Sequence, residues 1–364
     1  MTIPLNDLKR AYQEQAAELD EAALRVLRSG WYVHGPEHTA FEQEFAAYVG
    51  VAHCVGVGNG TDALELALRA VTAGRAGAVV TAANAGAYCT TAARRVGLGV
   101  RYADVDPATL CLTADTVRPL LAGGDVAAVV VTHLYGRLAD VEALAALCAA
   151  HGVPLVEDCA QAVGAQRGGR RAGSFGAVAS FSFYPTKNLG ALGDGGAVLT
   201  DDPELAATLA RLRQYGWSGK YTVGQDGGRN SRLDELQAAV LRVRLPRVDG
   251  WSKRRRDIVR AYADAAAGTR FTVLPADGED HVGHLAVGRT ADRDGVRAAL
   301  TAAGVATDVH YPIPDHRQPA LAAEYASVVL PVTEAAAGEI LSVPCFPQLT
   351  DAEVDGVCRA LRAL

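Results

Sequence analysis

From residue 51 onward, short apolar runs alternate with helical patterns about ten residues long, and no other feature constrains the fold as strongly. His53–Val57, Gly77–Ala82, Val100–Ala103, Val126–Thr132, Val153–Glu157, Ala177–Phe183 and Gly196–Thr200 read as strands. Thr61–Val71, Tyr88–Val96, Asp140–Ala150 and Pro203–Gln214 read as helices between them. Strands joined by crossover helices imply an α/β fold, a mostly parallel sheet covered on both faces. After about residue 250 the character shifts: helical patterns at 230–245, 251–267, 292–303, 333–340 and 351–361 surround an apolar run at His284–Val287 and the Pro-rich loop at 310–319. The expected division is a large domain over 1–250, with a helix near Tyr12–Ser29, and a smaller α+β domain over 251–364. Which domain that N-terminal helix packs against stays open.

Three local signals carry chemistry. The first is Ser180–Phe181–Ser182–Phe183–Tyr184–Pro185–Thr186–Lys187. An alternating strand runs into a turn, and Lys187 is the sole charge between Arg171 and Asp194. Of 35 basic residues only four are lysine, so a lysine in a neutral stretch points to amine chemistry. A partly desolvated amine loses its proton more readily and can attack a carbonyl to form an imine. The second is the strand end Val156–Glu157–Asp158. Successive strand side chains face opposite ways, so at most one of these two carboxylates enters a given site. The other role open to the pair is capping the next helix. The third is Gly58–Asn59–Gly60–Thr61–Asp62 ahead of a helix, where backbone amides suit a phosphate. It is neither a P-loop nor a dinucleotide fingerprint.

An imine-forming lysine, a strand-end acid and a phosphate cradle are together the parts that hold pyridoxal 5′-phosphate (PLP). The net charge of −6 gives no footprint for nucleic acid or an anionic membrane, and no apolar run reaches membrane-spanning length. The seven scattered cysteines form no CxxC pair and read as buried hydrophobes in a reducing cytoplasm, with no metal site. The N-terminus lacks a signal-peptide pattern.

In these motifs, and in Ser29–Pro36, Gly193–Gly196, Asn230–Ala239 and His310–Pro312, the chain resembles the DegT/DnrJ/StrS-type nucleotide-sugar aminotransferases. The resemblance covers essentially the whole chain. It implies an aspartate-aminotransferase-like (type I PLP) large domain with a mainly parallel sheet. It assigns Lys187 as the lysine that bonds the cofactor and later moves the substrate proton, Asp158 as the partner of the pyridine nitrogen, and Gln161 as the residue near the ring oxygen. Gly60, Thr61 and Ser182 match phosphate contacts, and Asn230 matches a residue given across a homodimer interface to the neighbour's cofactor. Where relatives often carry an aromatic that stacks on the ring, this chain has Ala85–Gly86, leaving Tyr88 either to stack or to pack as a helix-start tyrosine. The Tyr184 motif resembles the branch that aminates dTDP-linked 3-keto-6-deoxyhexoses, with an amino acid, expected to be glutamate, as donor. 4-Keto sugars and cyclitols are the alternative substrates. Tyr184, His310 and Tyr311 are candidate sugar contacts, the last two alternatively a loop pair packed beside prolines.

Overall fold

In the computed structural model, which describes residues 2–364, the seven expected strands form one sheet. They are β1 (His53–Val57), β2 (Ala78–Ala82), β3 (Gly99–Ala103), β4 (Val126–Thr132), β5 (Leu155–Asp158), β6 (Val178–Ser182) and β7 (Gly196–Thr200). Their order across the sheet is β1-β7-β6-β5-β4-β2-β3. β7 runs antiparallel to both neighbours, and the other pairings are parallel. The strands are nearly continuous Val and Ala runs because both faces are covered. On one face Val129, Val131, Phe181 and Phe183 meet Phe41 and Phe45. On the other, Val130, Val156 and Val178 meet Leu64 and Leu66. Thr132 pairs with Asp158, and Asp158 with Ser180, so the carboxyl ends of β4, β5 and β6 lie side by side. Open α/β sheets bind ligands at that edge.

The C-terminal portion is built on a three-stranded antiparallel sheet of Thr272–Val273, Ala286–Arg289 and Ile340–Val343. Ile258, Tyr262, Phe271, Val296, Leu341 and Phe346 form its core. The helix Val248–Ala266 runs straight through the expected division at 250/251. Among the described residues no helix is long and apolar enough to cross a membrane.

Three differences from the sequence reading have local causes. The N-terminal helix is two, Leu8–Gln13 and Ala16–Ser29, broken where Gln15 leaves helical geometry. The first segment joins the C-terminal portion through an Arg10–Glu353 ion pair, and Ile3 ahead of it through a bridge to Val305, while Ala22 and Val26 pack on Ala239. The pattern at 230–245 is helical only over Glu235–Arg244, because Asn230 and Asp234 are in bridges with Gln214 and Val33. The helix Pro36–Val49, unanticipated, is capped from a distance. Glu235 accepts hydrogen bonds from the backbone N–H of Gly35 (2.8 Å), Glu37 (2.9 Å) and His38 (2.8 Å).

Candidate active site

Beyond β6 the chain turns so tightly that Lys187 N–H donates to Tyr184 O (2.8 Å) and Ala191 N–H to Phe183 O (2.7 Å). A Cβ on Gly190 would strike the carbonyl of Pro185, so this turn needs a glycine. The buried Arg244 guanidinium clamps the far side, donating to the carbonyls of Gly190 and Ala191. The Lys187 amine is thereby held in the wall of a cavity of about 580 Å³, within the ~300–1,000 Å³ usual for small-molecule sites. Burial lowers its pKa to about 8, against the opposing pull of the Asp158 carboxylate.

Asp158 lies on the same wall. It accepts hydrogen bonds from Thr132 Oγ1 (3.1 Å), at the end of β4, and from the Ala160 N–H (3.1 Å). Burial raises its pKa against those two bonds and the Lys187 charge. Glu157 faces away, as strand alternation requires. Its carboxylate accepts from His133 Nε2 (3.0 Å) and from the N–H of Gly173 (2.9 Å), Phe175 (2.7 Å) and Gly176 (2.7 Å). His133, Glu157 and Cys159 lie close enough together to suggest a metal site. However, His133 Nδ1 accepts from Ala139 N–H, so both ring nitrogens and both carboxylate oxygens are engaged in holding the loops after β4 and β5.

The third expected element completes the cavity. Asn59 caps the helix Gly60–Val71 by accepting from Asp62 N–H (2.8 Å). Among the described residues the amides of Gly60 and Thr61 have no intramolecular acceptor. A Cβ on Gly60 would sit 2.6 Å from Ser182 Cβ and 3.0 Å from its Oγ. Only glycine lets the helix start close on the end of β6, and Gly60, Thr61 and Ser182 all line the cavity. Free amides, a helix dipole and a hydroxyl are a phosphate cradle.

Tyr88, Tyr184, His310 and Tyr311 line the same cavity. Tyr88 and Tyr311 meet edge to face at 6.3 Å. A Cβ on Gly86, whose φ is +81°, would lie 3.0 Å from one ring and 3.1 Å from the other. The small residues at Ala85–Gly86 thus leave room for these two tyrosines. Tyr184 is 53% exposed at the mouth. His310 is fixed through Nδ1 to Ser342 Oγ (2.9 Å) and through its carbonyl, which accepts from Tyr135 Oη. Gln161 stands one layer back: its Oε1 accepts from Tyr135 N–H (2.6 Å) and its Nε2 donates to Tyr311 Oη (3.2 Å). Asn230 is exposed and absent from this wall. His284, Asp308 and Asn6 also line it and were not anticipated; the one available signal was a histidine set in the apolar run from 282 to 287.

PLP needs an amine for its aldehyde, a carboxylate for its ring nitrogen and donors for its phosphate. Lys187, Asp158 and the Gly60–Thr61 amides supply all three on one cavity, with glycine at the closest approach. Comparison with known proteins agrees. The sequence profile of the DegT/DnrJ/EryC1/StrS aminotransferase family matches residues 13–362. The erythromycin biosynthesis sensory transduction protein EryC1 of Saccharopolyspora erythraea is 45% identical over 100% of both chains. The dTDP-3-amino-3,4,6-trideoxy-α-D-glucose transaminase of Streptomyces venezuelae is 44% identical over 99% of this chain and 95% of its own. The crystal structure of DesV from S. venezuelae in complex with a ketimine intermediate superposes with a TM-score of 0.95 at 43% identity, covering 100% of this chain and 98% of that one. The chain belongs to the DegT/DnrJ/EryC1/StrS family of PLP-dependent aminotransferases.

Proposed function

We propose that the enzyme aminates C3 of a dTDP-linked 3-keto-6-deoxyhexose, taking the amino group from an amino acid, glutamate in our reading. The observation that carries the reading is one cavity lined by Lys187 and Asp158 together with Tyr184, His310 and Tyr311. Relatives named for dTDP-3-amino sugars, at 44%, 42% and 39% identity, support the substrate class.

PLP, when bound, supplies an electron sink for the carbon that loses its proton. In this reading the chain does the rest. Asp158, whose ionised form is favoured by its two hydrogen bonds and the Lys187 charge and opposed by burial, would pair with the ring nitrogen. The Gly60 and Thr61 amides and Ser182 would hold the phosphate, and Tyr88 would stack on the ring. Gln161 positions Tyr311. Lys187, with its proton affinity lowered toward neutrality, carries the proton in each half of a ping-pong exchange. The half-exposed Tyr184 and the pair His310–Tyr311 hold the hexose.

Asn230 belongs to a neighbour's cofactor in a homodimer. Exposed Leu27, Trp31, Tyr32 and Tyr221 fit a chain that buries more surface on assembly. The expected domains, 1–250 and 251–364, both supply residues to the cavity, with the helix Val248–Ala266 crossing from one to the other and the N-terminal segment packed on the second, within a soluble cytoplasmic enzyme. The test is a panel run in the amine-consuming direction with 2-oxoglutarate. Turnover of dTDP-3-amino-deoxyhexoses is expected. Exclusive turnover of 4-amino sugars or aminocyclitols would overturn the C3 reading.

A further inference from the structure

His284 lines the cavity, yet nothing derived so far gives it a task. Its ring is buried, and its Nδ1 lies 2.9 Å from Asn188 Oδ1. The orientation of that amide is set by its other end. Asn188 Nδ2 donates to the carbonyl of Val282 (3.1 Å), a group that can only accept. Oδ1 therefore faces the imidazole, and Nδ1 must carry the hydrogen. The ring is also kept neutral: burial, then the charges of Lys187 and Arg255, push its pKa far below the usual histidine value. The ring itself is anchored through its backbone, since its carbonyl accepts from the guanidinium of the buried Arg255 (3.3 Å).

A neutral imidazole whose one N–H is spent on Asn188 keeps a single function, a lone pair on Nε2. Among the described residues that nitrogen has no partner, and it is not among the polar atoms sealed from solvent. The cavity wall near Lys187 thus presents a fixed acceptor with no proton to give. Carboxylates and phosphates, themselves acceptors, gain nothing there. The amino acid donor brings one N–H-bearing group, and that group is consumed at the reacting centre, leaving carboxylates. The sugar nucleotide brings the N–H of its base, the hydroxyl of its deoxyribose and the hydroxyls of its hexose, and of these it is the hexose that must lie at the reacting centre beside Lys187 and His284.

We infer that His284 Nε2 is a specificity element for the sugar half of the reaction, accepting a hydrogen bond from a hexose hydroxyl next to the reacting carbon. The inference rests on the sugar-nucleotide reading above. One such bond corresponds to about a tenfold change in affinity.

The test is calorimetric titration of the holoenzyme with three probes: dTDP, dTDP-3-amino-3,4,6-trideoxyglucose and dTDP-3-amino-3,6-dideoxygalactose. His284→Asn keeps a side-chain amide at the Nδ1 position for Asn188 but has nothing at Nε2. It is expected to bind at least one amino sugar about tenfold more weakly, with dTDP unchanged as the control for an intact fold. Loss on both sugars assigns the contact to the C2 hydroxyl they share, and loss on the dideoxy sugar alone assigns it to the C4 hydroxyl. His284→Gln, whose amide reaches the place of Nε2, is expected to recover part of the loss. Unchanged affinity for both sugars in His284→Asn, or an equal loss on dTDP, overturns the inference. A wild-type holoenzyme that binds dTDP but neither sugar overturns the substrate reading and this inference with it.

Discussion

If Lys187 is an amine prepared by its surroundings, its proton should come off far earlier than that of a lysine in water. Burial in the cavity wall brings its pKa from 10.5 to about 8. At pH 7 the uncharged fraction then rises from ~0.03% to ~10%, a gain of about 300-fold in reactive amine. The carboxylate of Asp158 works the other way, because a nearby negative charge favours the ammonium. Asp158→Asn removes that attraction, so the amine should deprotonate at a still lower pH. The chain makes this measurable, since it has only four lysines to follow, Lys9, Lys187, Lys220 and Lys253. The apoenzyme is treated with trace acetic anhydride across pH 6–11, and each lysine peptide is quantified by mass spectrometry. The Lys187 labelling curve should have its midpoint near pH 8 in the wild type and lower in Asp158→Asn. If Lys187 titrates together with the exposed Lys253, or if Asp158→Asn moves its midpoint upward, the electrostatic argument fails.

Gly60→Ala places a methyl 2.6 Å from Ser182 Cβ. Overpacking of this kind costs ~1–3 kcal/mol, so PLP affinity measured by titration of the apoenzyme should fall at least about fivefold, and an unchanged affinity would refute the cradle. Glu157→Ala strips a buried carboxylate from four donors, and ~3–5 kcal/mol of stability should be lost in urea unfolding at pH 7. Burial favours the protonated form of Glu157, but the His133 and backbone bonds outweigh it and hold the pKa below the ordinary value. That contribution is therefore present above about pH 4.5 and fades as pH falls; a deficit in Glu157→Ala that stays constant down to pH 3 would contradict the sign. If Asn230 serves the neighbouring site, Lys187→Ala and Asn230→Ala chains, each impaired alone, should regain activity when refolded together, because one site of the hybrid dimer is intact; no recovery would place Asn230 elsewhere.

Much of this was legible in the chain for physical reasons. β1, β4 and β7 match the expected runs end to end because strands covered on both faces are apolar through their interior, with a polar residue only at one end: His53, Thr132 and Thr200. Lys187 stood out because this chain otherwise spends arginine on positive charge. What escaped was whatever depends on a distant partner. Pro36–Val49 begins under the carboxylate of Glu235, and His284 owes its tautomer to Asn188, 96 residues earlier. The helix Ala114–Ala122 was hidden by Pro119 within it. The strand Ile340–Val343 follows the helix Pro331–Glu339 without a break, so no turn residue marks the change. The hydrogen bonds of Gln161 to Tyr135 and Tyr311 are visible only once the loop from residue 310 is folded over.

The central claim is that one cofactor is bonded to one amine. Holoenzyme reduced with borohydride, then digested and mapped by mass spectrometry, should carry a pyridoxyl group on the Lys187 peptide and on none of those bearing Lys9, Lys220 or Lys253. A label on any of those three, or an unlabelled Lys187 in enzyme that retains full activity, would contradict it.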